Sequence, residues 1–134
     1  MNYDTITFDI TDDIATVTLN RPDVMNALNT QMRAEITDAV LEGGKSARVV
    51  VLTGAGKSFC SGQDLGDRAN AANLDLERTL RDEYVPMLRA IYDCPVPTIS
   101  ASPADETTTP VRKFRELPVV TPSGTTVCTT TPEP

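Results

Sequence analysis

The sequence predicts an α/β protein built on a partly parallel sheet, and three observations carry that expectation. Two β-rich runs open the chain, a segment of helical period follows, and a short continuous apolar run comes next. Strand, helix, strand in this order implies a right-handed crossover between parallel neighbours.

The elements follow in order. Ile6–Ile10 and Ile14–Leu19 are separated by Thr11-Asp12-Asp13, which suits a hairpin turn. Asn20-Arg21-Pro22-Asp23 then breaks the pattern, because Pro22 has no N–H to give a ladder. A helix is expected from Asn29 or Thr30 as N-cap, since Met32, Ile36 and Val40 recur at four-residue steps with Ala39 beside them. Gly43-Gly44 is expected to stop it. Val49-Val50-Val51-Leu52 reads as a strand buried on both faces. After a polar stretch, Asp67–Asp75, a second helix is expected with its apolar pattern through Leu76, Leu80, Tyr84, Leu88 and Ile91, kinked or divided at Pro86. Cys94-Pro95-Val96-Pro97 ends it, and Thr98-Ile99-Ser100-Ala101 starts another strand.

The composition changes at Ser102. Residues 102–134 hold nine Thr, six Pro and two Ser, with Gly124 as their sole glycine. Such a segment buries too little apolar surface to offset its ordering entropy. The expected organisation is therefore one folded part, residues 1–101, and a Thr/Pro-rich tail, 102–134, expected to be disordered.

Length and charge narrow the function. A chain of 134 residues suffices for one domain. The formal net charge of −7 repels a phosphate backbone, so nucleic acid is not an expected partner. No apolar run approaches the roughly 20 residues a membrane helix needs, and a cytoplasmic location without membrane association is expected. Cys60, Cys94 and Cys128 are widely spaced and odd in number, which suits reduced thiols better than a disulfide framework or a metal site. The chain has no histidine, which removes Ser-His-Asp and Cys-His mechanisms.

The stretch V-L-T-G-A-G-K-S-F-C-S-G-Q-D-L-G-D-R, residues 51–68, is the candidate functional loop. Gly56-Lys57-Ser58 matches the end of a phosphate-binding loop, but that pattern demands a glycine where Val51 stands, and loop continues after Ser58. Nucleotide phosphate binding is set aside on that ground. A plain connection made of two glycine turns is the ordinary alternative.

The segments N-R-P-D-V-M-N-A-L-N (20–29), V-V-V-L-T-G-A-G-K-S-F-C-S-G-Q-D-L (49–65) and P-V-P-T-I (95–99) decide between them. In wording, order and spacing they resemble the N-terminal half of the enoyl-CoA hydratase/isomerase family, also called the crotonase family. The wording S-G-Q-D-L-G-D-R is most similar to members that isomerise ring-epoxidised phenylacetyl-CoA. The resemblance implies the first part of a crotonase-like ββα superhelix. It implies an acyl-CoA thioester as partner, with coenzyme A part of the substrate and no separate cofactor, in phenylacetate or fatty-acid breakdown. Two main-chain N–H groups would meet the thioester oxygen in this family; by motif position the first is the amide of Gln63. Small residues at Ser61 and Gly62 would let the backbone approach the substrate. Met25, Ala27 and Leu28 would line the other side of the coenzyme channel, with main-chain contacts near Ala27. Cys60 and Ser61 would lie along its nucleotide end, and Asp64 and Leu65 would complete the loop. The resemblance leaves Asp64 and Asp67 as loop-holding or catalytic acids, Arg21 as a phosphate contact or an ordinary surface arginine, and Cys60 as a small packed residue.

Past Ile99 the family pattern is a turn of the form A-x-x-G-x-x-x-G-x-G that gives the second donor, followed by catalytic carboxylates. Here the chain reads S-A-S-P-A-D-E-T-T-T-P-V-R-K-F, with no glycine between Gly66 and Gly124. The expectation is thus a truncated, catalytically incomplete member, without the C-terminal helices through which relatives form trimers or hexamers. The alternative is a non-catalytic coenzyme-A-binding or interaction fragment, a truncated or frameshifted remnant. An unpaired sheet edge near Ile99 and an uncovered apolar face are expected to favour association.

Overall fold

A computed structural model of the protein describes residues 2–66 and 76–102, and the backbone of residues 119–120 and 126–127. The chain divides into two units, Met1–Ala104 and Asp105–Pro134. In the first, β1 (Ile6–Thr11) and β2 (Ile14–Leu19) form an antiparallel hairpin. Its two-residue turn puts Asp12 and Asp13 at φ 52° and 62°. Both values suit a primed turn, whose twist matches that of the strands. β2 pairs in parallel with β3 (Val49–Gly54), and β3 with β4 (Thr98–Ala101), so the sheet runs β1-β2-β3-β4.

The expected crossover helix is α1 (Thr30–Ser46), whose N-cap Asn29 accepts from the Met32 N–H at 2.8 Å. Its apolar face is the expected one, with Met32, Ile36, Ala39 and Val40 buried against Ala15, Val17, Leu19 and Val50. The expected stop at Gly43-Gly44 is wrong: the helix runs through both glycines, and both are buried. They serve close packing instead. A Cβ on Gly43 would stand 2.9 Å from Ala15 Cβ and 3.1 Å from Val50 Cγ2; one on Gly44 would stand 3.0 Å from Pro95 Cδ.

The second helical stretch starts as α2 (Leu76–Thr79), passes through a π-helical segment (Leu80–Tyr84) and continues as α3 (Val85–Tyr92). The Val85 N–H reaches back to the Leu80 carbonyl, and Pro86, which has no N–H, follows at once. The wider turn accommodates the proline that was expected to kink or divide this helix. It also moves the buried face. Met87 and Ala90 are buried, and Tyr84 and Ile91 of the expected stripe pack against the core, whereas its Leu76, Leu80 and Leu88 are exposed.

The expectation that β3 is buried on both faces also needs correction. Val50 and Leu52 face α1 and the core, but Val49 and Val51 are only half-buried, and Ile99, the partner of Val51 in β4, is 51% exposed. One face of the sheet carries the core. In the second unit, β5 (Val119–Val120) pairs antiparallel with β6 (Thr126–Val127). The disorder expected for 102–134 otherwise falls outside the described residues, as do Asp67–Asp75.

Candidate functional site

At the carboxyl ends of β2 and β3 two loops meet, residues 20–29 and 55–64. The first leaves β2 through a 3-10 turn at Pro22–Val24 and then places Met25 and Asn26 at φ 51° and 55°, a left-handed pair that reverses the chain. Asparagine tolerates this region better than most side chains. Asn26 is fully buried, and its side chain joins the loops: Oδ1 accepts from the Arg21 N–H at 2.9 Å, while Nδ2 donates to the carbonyls of Ala55 (2.9 Å) and Ser58 (2.8 Å). Gly54 marks the closest approach, since a Cβ there would lie 2.4 Å from the carbonyl oxygens of Ser58 and Phe59.

The main chain then binds the two segments in register. The Ser61 N–H donates to Met25 O at 3.0 Å, Leu28 N–H to Gly62 O at 2.8 Å, and Asp64 N–H to Leu28 O at 3.0 Å. Leu28 and Gln63 thus form a parallel bridge. In such a bridge Leu28 holds both flanks of Gln63, and the N–H and C=O of Gln63 itself point the other way. The Gly62 N–H lies 3.3 Å from Cys60 Sγ. Of the four successive amides 61–64, three therefore donate within the chain, while among the described residues the Gln63 N–H meets no acceptor. Gly62 has φ 97°, and among the described residues a Cβ there would meet nothing within 4 Å. The left-handed turn needs glycine, and the space beside it is open.

The other expected site residues divide into exposed and internal groups. Met25, Ser61 and Leu65 are exposed, Leu65 at 70%. Ala27 is buried; its N–H donates to Val24 O and its carbonyl accepts from Arg21 Nη1, so its main-chain groups serve the loop. The same Arg21 Nη1 lies 2.7 Å from Asp64 Oδ2, and Asp64 Oδ1 accepts from the Gly66 N–H at 2.8 Å. Arg21 and Asp64 clasp the two loops together. Cys60 is half-buried and packs against the core. Asp67 lies outside the described residues.

Sequence reasoning missed Asn26 as the joint of the site, although it stands inside the motif quoted for the resemblance. It also missed Arg33 on α1, which reaches the Leu28 carbonyl at 2.7 Å. The available signal was a cation in the first turn of a helix, where the helix dipole disfavours it. Among the described residues no group of three His, Cys, Asp or Glu side chains is placed to hold a metal ion, and no helix is long and apolar enough to cross a membrane.

Comparison with known proteins agrees with this arrangement. The family model described as enoyl-CoA hydratase/isomerase matches residues 9–102. A protein of Rhodobacter capsulatus called "Probable enoyl-CoA hydratase" is 54% identical over 101 residues, covering 75% of this chain and 39% of that relative. The 1,2-epoxyphenylacetyl-CoA isomerase of Escherichia coli is 37% identical over 93 residues, covering 66% of this chain and 36% of the relative. Among solved structures, an enoyl-CoA hydratase/isomerase from Xanthobacter autotrophicus Py2 superposes with a TM-score of 0.66 at 33% identity, covering 75% of this chain and 39% of that one. The chain thus spans about two fifths of the length of these relatives, and its α/β fold is the first part of a crotonase-like fold. On the match across residues 9–102 and the shared fold, the chain belongs to the enoyl-CoA hydratase/isomerase family.

Proposed function

We propose that the chain binds an acyl-CoA thioester and offers the Gln63 amide as one hydrogen-bond donor to the thioester oxygen. The observation that carries this reading is an amide with no acceptor among the described residues: its neighbours at Ser61, Gly62 and Asp64 are engaged, and Leu28 fixes the peptide planes on both sides. A donor fixed before charge develops needs no reorganisation when an enolate-like oxygen forms, and one such donor is worth about 10²–10³ in rate. Coenzyme A enters as part of the substrate, with no separate cofactor. Met25, Ser61 and Leu65, exposed beside the turn, are available to the ligand.

The chemistry proposed for this chain is binding with half of an oxyanion hole. Residues 102–134 contain no A-x-x-G-x-x-x-G-x-G turn, and the acids there match no catalytic motif. Turnover of an enoyl-CoA by the purified chain is expected to be far below that of an ordinary hydratase. Relatives named for hydration and for isomerisation of an epoxide leave both fatty-acid and phenylacetate breakdown as settings.

The test is an amide-resolved titration of the 134-residue chain with acetyl-CoA and, separately, free coenzyme A. A downfield shift of the Gln63 N–H with acetyl-CoA that coenzyme A does not produce is expected. Equal responses to both, or none at Gln63, would overturn the assignment.

A further inference from the structure

We propose that Arg33 is a positioning residue for the Gln63 amide, acting through the Leu28 carbonyl with Glu83 as its counterion; this rests on the thioester reading above. Arg33 sits in the first turn of α1, its side chain 3% exposed. A cation there opposes the helix dipole, and burial removes its hydration, so its place must be secured by strong partners. It has them. Nε and Nη2 both donate to Glu83 Oε2, at 2.9 and 2.5 Å, Nη2 also reaches Thr30 Oγ1 at 3.2 Å, and the guanidinium lies 4.7 Å from the centroid of the Tyr84 ring.

The remaining arm of the fork is the informative one. Nη1 donates to Leu28 O at 2.7 Å, and the same oxygen accepts the Asp64 N–H at 3.0 Å. A carbonyl oxygen has two lone pairs, and here both are taken. Arg33 thereby fixes the plane of the peptide that joins Leu28 to Asn29, whose oxygen grips the Asp64 N–H on one side of Gln63, while the Leu28 N–H, in the preceding peptide, grips the Gly62 carbonyl on the other. Glu83 and Tyr84 belong to the π-helical segment, so the unusual turn brings two adjacent side chains onto one guanidinium. The route runs from the second helical stretch to the candidate donor: Glu83, Arg33, Leu28, Gln63. Lysine cannot copy it, since an ammonium lacks the planar fork that holds Glu83 and Leu28 together.

The test uses Arg33→Lys and Glu83→Gln in the full chain; the second removes the charge of Glu83 but keeps an acceptor oxygen for the fork. Without ligand, hydrogen-exchange protection of the Asp64 amide should fall about tenfold in both variants, the scale of a lost hydrogen bond, while the Val17 and Val50 amides keep theirs. With ligand, the preference for acetyl-CoA over coenzyme A should fall by a similar factor, with coenzyme A affinity unchanged. Unchanged Asp64 protection and an unchanged acetyl-CoA preference in both variants overturn the proposal, as does a uniform loss that includes Val17 and Val50, which marks Arg33 as merely structural. If the unaltered chain shows no carbonyl-dependent shift at Gln63, the thioester reading fails, while the Asp64 protection still decides whether Arg33 holds this peptide.

Discussion

Ala15 and Val50 meet the glycine face of α1 through apolar contact, whereas residues 21–28 meet residues 55–64 largely through hydrogen bonds to main-chain atoms. The first region gains from every buried methylene and is indifferent to direction. The second depends on direction, because each bond fixes a peptide plane. That difference suits a site whose work is to aim one N–H.

The largest expected break in this comparison is Asn26→Ala. It leaves the Arg21 N–H and the Ala55 and Ser58 carbonyls without their buried partner and puts alanine at φ 55°. A loss of about 3 kcal/mol in urea unfolding is expected, from unsatisfied groups and a small left-handed penalty. The carbonyl-dependent shift at Gln63 should vanish with it. Survival of that shift in a folded Asn26→Ala chain would show that the loops keep their register without the joint.

Gly43→Ala addresses the other region alone. Its Cβ would stand 2.9 Å from Ala15 Cβ. Overpacking costs about 1–3 kcal/mol, and the better helix propensity of alanine returns about 1 kcal/mol. A net destabilisation of up to about 2 kcal/mol is expected, read as a lower urea midpoint, with the Gln63 response intact. If that response were lost as well, core and loops would be one mechanical unit.

The two regions were also unequally legible in the sequence. Periodicity named Met32, Ile36, Ala39 and Val40 correctly because a helix burying one face repeats its apolar residues every three or four positions. It failed at Gly43-Gly44, where local stop chemistry and non-local close packing use the same residue, and at Leu80 and Leu88, where a π turn shifts the phase. In the loops no period exists. The motif letters located Gln63, but the bonds from Asn26, Arg21 and Arg33 join residues up to 51 positions apart, and no local pattern encodes such pairings.

The smallest expected effect lies at the far edge of the core, where Glu35 of α1 ties down the start of β1. Burial pushes the Glu35 carboxyl up, but hydrogen bonds from the Thr5 hydroxyl, the Asp4 and Thr5 amides and the Gln31 side chain outweigh it and hold the pKa below its ordinary 4.5. A depressed carboxylate in the folded state binds its proton less readily than in the unfolded chain. Its stabilisation is therefore complete above about pH 4.5 and is lost as pH falls through the lower folded value. Unfolding free energies measured from pH 7 to pH 3 should decline less steeply in Glu35→Gln than in the unaltered chain, the difference opening only below about pH 4.5. Parallel curves would mean that these hydrogen bonds hold the neutral acid as well as the anion. The tie between α1 and β1 would then be indifferent to charge, as the apolar core beside it is.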